Sequence, residues 1–423
     1  MSDSTQASDL TCQQLGLDTL EIPDVVALQE PAEGIPAVIS TQRGLHHAAN
    51  LLASSQGPVA LDTERASGIR YGQRAFLVQL KRSNSGIILI DPEAFADLTP
   101  INKALKGAEW VLHAAGQDLP CLQDLGMVPD LLFDTELAAR LAGFERVGLS
   151  SVVEQLLGYK LAKEHSAVDW SKRPLPLDWL NYAALDVEIL LDLRDALEEV
   201  LKKQGKWAFA LEEFKHLSQG KTKEKPQDPW RKTKGIHSVK NRRQLTALRN
   251  LWYEREKLAQ KKDIAPKRLL TDAALIQAAR SMPQTVPDVL VIPGFQSKNL
   301  RKEAPRWVGA IAAARKEKTP VPYTIPAQGP PPIKAWETKR PNSFTLIHRS
   351  KEAVTALANH TNIPAENILA PDSLRRLCWD PPQRPSQAEI SRILAELGAR
   401  NWQIKLVTPV LEPIFTEVLA QEQ

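Results

Sequence analysis

Between Gly57 and Pro92 the chain carries three short apolar runs, "GPVALDT", "AFLVQLK" and "GIILIDP", each β-rich and closed by glycine, proline or polar turns. Such runs predict a strand meander. "AEWVLHA" from Ala108 predicts a further strand, and "DLPCLQDLG" a short helix after it. Helical periodicity marks "TQRGLHHAANLLASS" ahead of the meander, then "LSSVVEQLLGYKL" and "LDWLNYAALDVEILLDLRDALEEVLKKQG", the last ending at Gly205. A meander followed by alternating strands and helices makes an α/β domain over residues 37–206, behind a polar arm at 1–36.

The meander also poses an electrostatic problem. Asp62 and Glu64, in "LDTERASG", lie two residues apart on a strand, so both carboxylates share one face. They repel unless something positive sits between them. A divalent cation is one answer and solvent the other. Two more acids are awkwardly placed: Asp118, where a strand runs into a helix, and Asp186, inside the apolar run "NYAALDVEILL". A carboxylate buried there is costly unless paired or metal-bound. Tyr182 lies one helical turn before Asp186 and projects with it. The bland alternatives are an Asp118 that answers a helix dipole and an Asp186 that faces solvent.

The 423 residues allow about three domains at ~150 each. No run of roughly 18 apolar residues predicts a membrane span, and the polar N-terminus lacks a signal-peptide pattern. Cys12, Cys121 and Cys378 are scattered, which fits neither a disulfide framework nor a zinc knuckle and points to a reducing cytoplasm. Net charge is only +4, yet Lys221 to Lys262 holds 14 Lys/Arg against 4 Asp/Glu. That concentration predicts a polyanionic partner for a basic linker at 207–230 and the helical module, 231–317, that follows. A Pro-rich linker at 318–341 leads to a second helical region at 342–423. "IAPKRLLTDAAL" from Ile264 and "IPAENILAPDSL" from Ile363 share one apolar spacing at an offset of 99 residues, so the helical module occurs twice.

Taken in order, D-x-E on a strand, an aspartate after a second strand and Y-x3-D on a late helix form the layout of 3′→5′ exonucleases with four carboxylates and a tyrosine. With "LDTERASGIRYGQRAFLVQL", "FDTELAARLAG" and "VDWSKRPLPLDWLNYAALDVEIL", residues 37–206 closely resemble bacterial ribonuclease D. The helical modules resemble the helicase-and-RNase-D C-terminal (HRDC) domain. The resemblance implies an α/β, ribonuclease H-like exonuclease domain with a mixed sheet, followed by two small all-α HRDC-like domains. It implies a cytoplasmic enzyme that trims 3′ ends of structured, tRNA-like RNA and releases nucleoside 5′-monophosphates, with two divalent ions, Mg²⁺ or Mn²⁺, as cofactors. By the same resemblance Asp62 bridges both ions, Glu64 and Asp186 hold the nucleophile-side ion, and Asp118 holds the other through water. Tyr182 orients the attacking water. No membrane or obligate protein partner is implied.

Other residues compete for attention. His113, before Asp118, reads as a hydrogen-bonded structural histidine. Asp134, in a second D-x-E, reads as a helix cap. His165, Trp170 and Arg173 precede the tyrosine helix, and Arg173 is the best phosphate contact among them. Lys240, Arg242 and Arg243, just before an amphipathic helix, are the expected nucleic-acid contacts of the first module. A DNA exonuclease on the same site and an inactive nucleic-acid-binding adaptor are the rival readings. The intact five-residue set argues against the adaptor.

Overall fold

The computed structural model describes residues 25–161, 168–220, 227–325 and 329–420. Cys12, His165 and Lys221 to Lys225 of the basic segment lie outside the described residues. Strands β1 (Val26–Leu28) and β2 (Val38–Ile39) precede helix α1 (Gln42–Ser54), whose first turn is closed by Thr41 Oγ1 accepting from the Gly44 N–H at 3.2 Å. The meander follows as β3 (Val59–Arg65), β4 (Ala75–Arg82) and β5 (Gly86–Ile90), paired antiparallel in turn. Helix α2 (Thr99–Ala104), β6 (Glu109–Leu112), α3 (Leu119–Asp124) and β7 (Leu131–Asp134) come next. With β6 parallel to β3, the six strands form one mixed sheet in the order β2-β5-β4-β3-β6-β7.

The central position of β3 explains its run of buried residues. Val59 and Leu61 face α1 and α2 with Leu45, Leu52 and Ile101, whereas Ala60 faces the opposite layer. That layer is built from α4 (Thr135–Ala142), α5 (Leu149–Leu157), α6 (Leu177–Glu188), α7 (Leu190–Lys203) and α8 (Trp207–Ser218). Three expectations are corrected here. The periodic stretch to Gly205 is two helices, because Ile189 ends α6 and starts α7 without any glycine or proline to mark the break. The linker expected at 207–230 opens with α8, whose Phe214 ring packs tilted against Phe133 of β7, centroids 4.7 Å apart. The arm expected at 1–36 contributes β1, which pairs parallel with β8 (Tyr159–Leu161), a segment the sequence presents as helical. Pairing with a distant strand overrides local periodicity.

Two helical regions follow. The first module runs α9 (Arg242–Lys262), α10 (Pro266–Leu269), α11 (Asp272–Ser281), α12 (Val286–Leu290), α13 (Lys298–Arg301) and α14 (Ala304–Lys316). The second runs α15 (Trp336–Lys339), α16 (Pro341–Thr361), α17 (Ala365–Ile368), α18 (Pro371–Trp379), α19 (Gln387–Glu396) and α20 (Asn401–Ala420). Helices α9 and α16 are each 21 residues long and end in left-handed caps, Asp263 at φ 48° and Asn362 at φ 49°. Both caps dock on the nuclease domain. The Asp263 carboxylate takes Arg74 Nη1 at 2.9 Å and Nη2 at 2.8 Å, and the Ala265 N–H donates to Ile69 O at 2.9 Å. Asn362 sits against Gly143, where a Cβ would lie 2.1 Å from its Nδ2, and its carbonyl accepts from Lys206 Nζ at 3.2 Å.

The second module is joined further by Trp402 stacked on Phe209 at 4.7 Å, and by the Glu213 carboxylate, which accepts from Arg400 Nε and Trp402 Nε1. Its core and that of the nuclease layer are one continuous cluster. The Pro-rich segment is docked as well: Val321 is buried on the first module, because prolines fix an extended chain without preventing its side chains from packing. Among the described residues, no helix is long and apolar enough to cross a membrane.

Candidate active site

Strand alternation turns Asp62 and Glu64 to the face covered by α6, and one turn of α6 brings Tyr182 and Asp186 down onto them. Carboxylate oxygens of Asp62, Glu64 and Asp186 all lie within 4.8 Å of one another. They line a cavity of about 630 Å³ together with Asp118, Tyr182, Arg65 and Arg146. Helix α6 is clamped to the sheet by Lys81 Nζ, which reaches Glu188 Oε2 at 2.9 Å. Ala183, Ala184 and Leu185 before Asp186 and Val187 after it are all buried, so this turn has no solvent face for the aspartate to choose.

Asp118 arrives differently. The β6–α3 turn passes through Ala114 at φ 58°, a left-handed conformation costing roughly 1–2 kcal/mol in a non-glycine residue. Asp134 holds that turn: its carboxylate accepts from the Ala114 and Ala115 N–H groups at 3.1 and 2.9 Å while capping α4 through Glu136 N and Leu137 N. Burial raises the Asp134 pKa to about 6. Asp118 does not cap α3 with its side chain. Its Oδ1 instead accepts from Thr63 Oγ1 and Arg65 Nη1, both at 2.6 Å. A register shift between Glu64 and Arg65 lets the arginine reach it.

The electrostatics report a site short of positive charge. Burial, then the charges of Asp118 and Asp186, push Asp62 well above the usual carboxylate range. Burial and the neighbouring Asp62 do the same to Glu64. Asp118 is raised by burial, against the opposing pull of Arg65. A group raised in the folded state stabilises at low pH and loses that contribution as pH rises through its folded value. Without cations the melting temperature should therefore fall from about pH 4 upward through this cluster. Mn²⁺ should restore it, so the gap between melting curves in Mn²⁺ and in EDTA should widen as pH rises. Parallel curves at every pH would remove these acids as the cation site.

The bland readings of two residues hold. His113 Nδ1 lies 2.9 Å from Thr135 Oγ1, and burial lowers its pKa to about 4. Asp134 is the helix cap already described. Three expected phosphate contacts are committed elsewhere. Arg173 holds both oxygens of Asp91, at 2.6 and 2.7 Å, and the carbonyls of Trp170 and Phe76. Arg242 donates to the carbonyls of Pro320 and Val321, and Arg243 to those of Ala314, Arg315 and Glu317. These guanidinia close the fold, because carbonyls at a helix end need donors. Lys240 is exposed and lines a groove with Lys234, Gln244 and Arg280. The sequence reading passed over Thr63, Arg65 and Arg146. Only the D-T-E-R spacing signals the first two, and Arg146 carries no signal.

A family model described as 3′-5′ exonuclease matches residues 36–202, an HRDC domain model matches 244–311, and a 3′ to 5′ exonuclease C-terminal domain model matches 329–415. Ribonuclease D of Gluconacetobacter diazotrophicus is 31% identical over 76% of this chain and 81% of its own length. That of Granulibacter bethesdensis is 33% identical over the same shares. The chain belongs to the ribonuclease D family. As such it is a 3′→5′ exoribonuclease whose carboxylates suit divalent metal. A crystal structure of a protein from Bifidobacterium adolescentis is 40% identical, with a TM-score of 0.84 over 93% of this chain and 100% of that one. Escherichia coli RNase D shares the ribonuclease D fold at 23% identity and a TM-score of 0.65 over 90% of this chain and 98% of its own.

Proposed function

We propose that this exoribonuclease trims the 3′ ends of structured RNA such as tRNA precursors, releasing nucleoside 5′-monophosphates with two divalent ions at its carboxylates. The observation that carries the reading is the convergence of Asp62, Glu64 and Asp186 within 4.8 Å beside Tyr182 in an open cavity. A donor set of carboxylate oxygens suits hard ions, Mg²⁺ or Mn²⁺. When bound, such ions supply charge for the scissile phosphate, an activated water and stabilisation of the leaving 3′-oxygen.

The chain's own residues have distinct tasks. Asp62, Glu64 and Asp186 would hold one ion, and Asp62 with Asp118 would hold the other. Burial, with Asp186 and Glu64 nearby, raises the Tyr182 pKa, so the phenol keeps its proton. Tyr182 would therefore orient the attacking water by hydrogen bonding and not deprotonate it. Arg65 balances the charge of Asp118, and Arg146, exposed at the cavity rim with no ion pair among the described residues, is placed for phosphate oxygens. The substrate class follows the E. coli relative, an exoribonuclease involved in structured RNA processing.

Incubation with 3′-extended tRNA, a matched unstructured RNA and a matched DNA oligomer, each in Mg²⁺, Mn²⁺ or EDTA, tests the proposal. Removal of the extension with release of 5′-monophosphates, absent in EDTA, is expected. Equal degradation of the DNA would favour a DNA exonuclease, and no metal-dependent hydrolysis would favour an inactive adaptor.

The first module's groove supplies a separate expectation. Replacing Lys234, Lys240 and Arg280 together by alanine should flatten the log–log salt dependence of RNA affinity by about 2, at ~0.7 per phosphate contact on single strands. Turnover of a short oligomer should stay unchanged. Identical slopes would make the groove a solvated surface only.

A further inference from the structure

Gln79 lies in the middle of β4, within the apolar sequence "AFLVQLKR", and is fully buried. Neither its Oε1 nor its Nε2 meets a hydrogen-bond partner among the described residues. A buried amide with both ends unsatisfied is expensive, and a leucine or methionine in its place would carry no such cost. Its position is informative. In the β3–β4 ladder Gln79 is paired directly with Asp62, and directly opposed residues share a sheet face with Cβ atoms roughly 4.5–5.5 Å apart. The neighbours on that face fix what lies above. Leu77, opposite Glu64, packs with Ala183 of α6, and Lys81 reaches Glu188 at its end. Gln79 is thus enclosed between the Asp62 strand and the helix that carries Tyr182 and Asp186.

Asp62 has the complementary deficit. Among the described residues no side chain donates a hydrogen bond to its carboxylate, which leaves acceptor capacity beside an unused donor. Carboxylates that hold metal are themselves oriented by hydrogen bonds from the next layer of residues.

We propose that Gln79 is a positioning residue whose side-chain amide donates to the Asp62 carboxylate and fixes its orientation for the divalent ion. Without the ion, Asp62 faces the like charges of Asp118 and Asp186. With it, Asp62 turns its charge to the ion and its remaining lone pair to Gln79. The inference rests on the reading that Asp62, Glu64 and Asp186 hold a cation.

The test uses the full chain and Mn²⁺ or Mg²⁺ alone as probe. In Gln79→Met the metal-free melting temperature should equal or exceed that of the unsubstituted protein, whereas Mn²⁺ affinity by calorimetry should fall about 10-fold or more. The side-chain amide resonance of Gln79, assigned by its loss in the variant, should shift when Mg²⁺ saturates the unsubstituted protein. That readout is independent of the variant's stability. An unmoved resonance, or an unchanged Mn²⁺ affinity in Gln79→Met, overturns the role. Failure of the unsubstituted protein to bind Mn²⁺ at all would instead overturn the cation reading beneath it.

Discussion

Asp62→Asn and Asp186→Asn should each abolish RNA hydrolysis, by about 10³-fold or more, while the fold and RNA binding survive. Each change neutralises one of the three carboxylates whose oxygens gather within 4.8 Å. Losing a ligand forfeits much of the charge stabilisation that such ions provide, worth several kcal/mol of barrier, and ~4 kcal/mol corresponds to about 10³-fold. The fold should tolerate the change because the carboxamide is nearly isosteric. Asp62→Asn also relieves repulsion, since Asp118 and Asp186 both disfavour the Asp62 charge. Its melting temperature without cations should therefore rise. Single-turnover hydrolysis of a labelled oligomer, read beside a melting curve, checks both parts. Turnover like that of the unsubstituted enzyme in either variant would remove the carboxylates from the mechanism.

Tyr182→Phe should lower kcat by roughly 10²-fold, the scale of a positioned proton-handling group, with little change in KM. The phenyl ring keeps its packing, with the Trp170 ring centroid 6.5 Å away, so only the hydroxyl is lost. Mn²⁺ affinity should be unaffected, because the tyrosine is not among the three acids that converge. Because the phenol pKa is raised, the activity of the unsubstituted enzyme should show no limb from tyrosine ionisation up to about pH 10. A loss of Mn²⁺ affinity in Tyr182→Phe would mean that the hydroxyl supports the cation site and not the water.

The sequence by itself determined which acids gather on one face and which elements carry them. Asp62 and Glu64 are legible because a strand's two-residue period forces them onto one face. Tyr182 and Asp186 are legible because a helix's turn does the same. The meander was legible from its short branched runs, since that is a local pattern. Only the tertiary structure decided what depends on distant partners. It assigned Arg173 to Asp91, and Arg242 and Arg243 to carbonyls more than 70 residues away, where the sequence offered free cations. It split one periodic stretch at Ile189, made strands of Val26–Leu28 and Tyr159–Leu161 by pairing them, and set Arg65 against Asp118. Gln79 belongs to the same class: as a letter it is one polar residue in an apolar strand, and only the ladder places it beside Asp62. Periodicity specifies which face a side chain occupies, whereas its function depends on what the rest of the chain brings to that face.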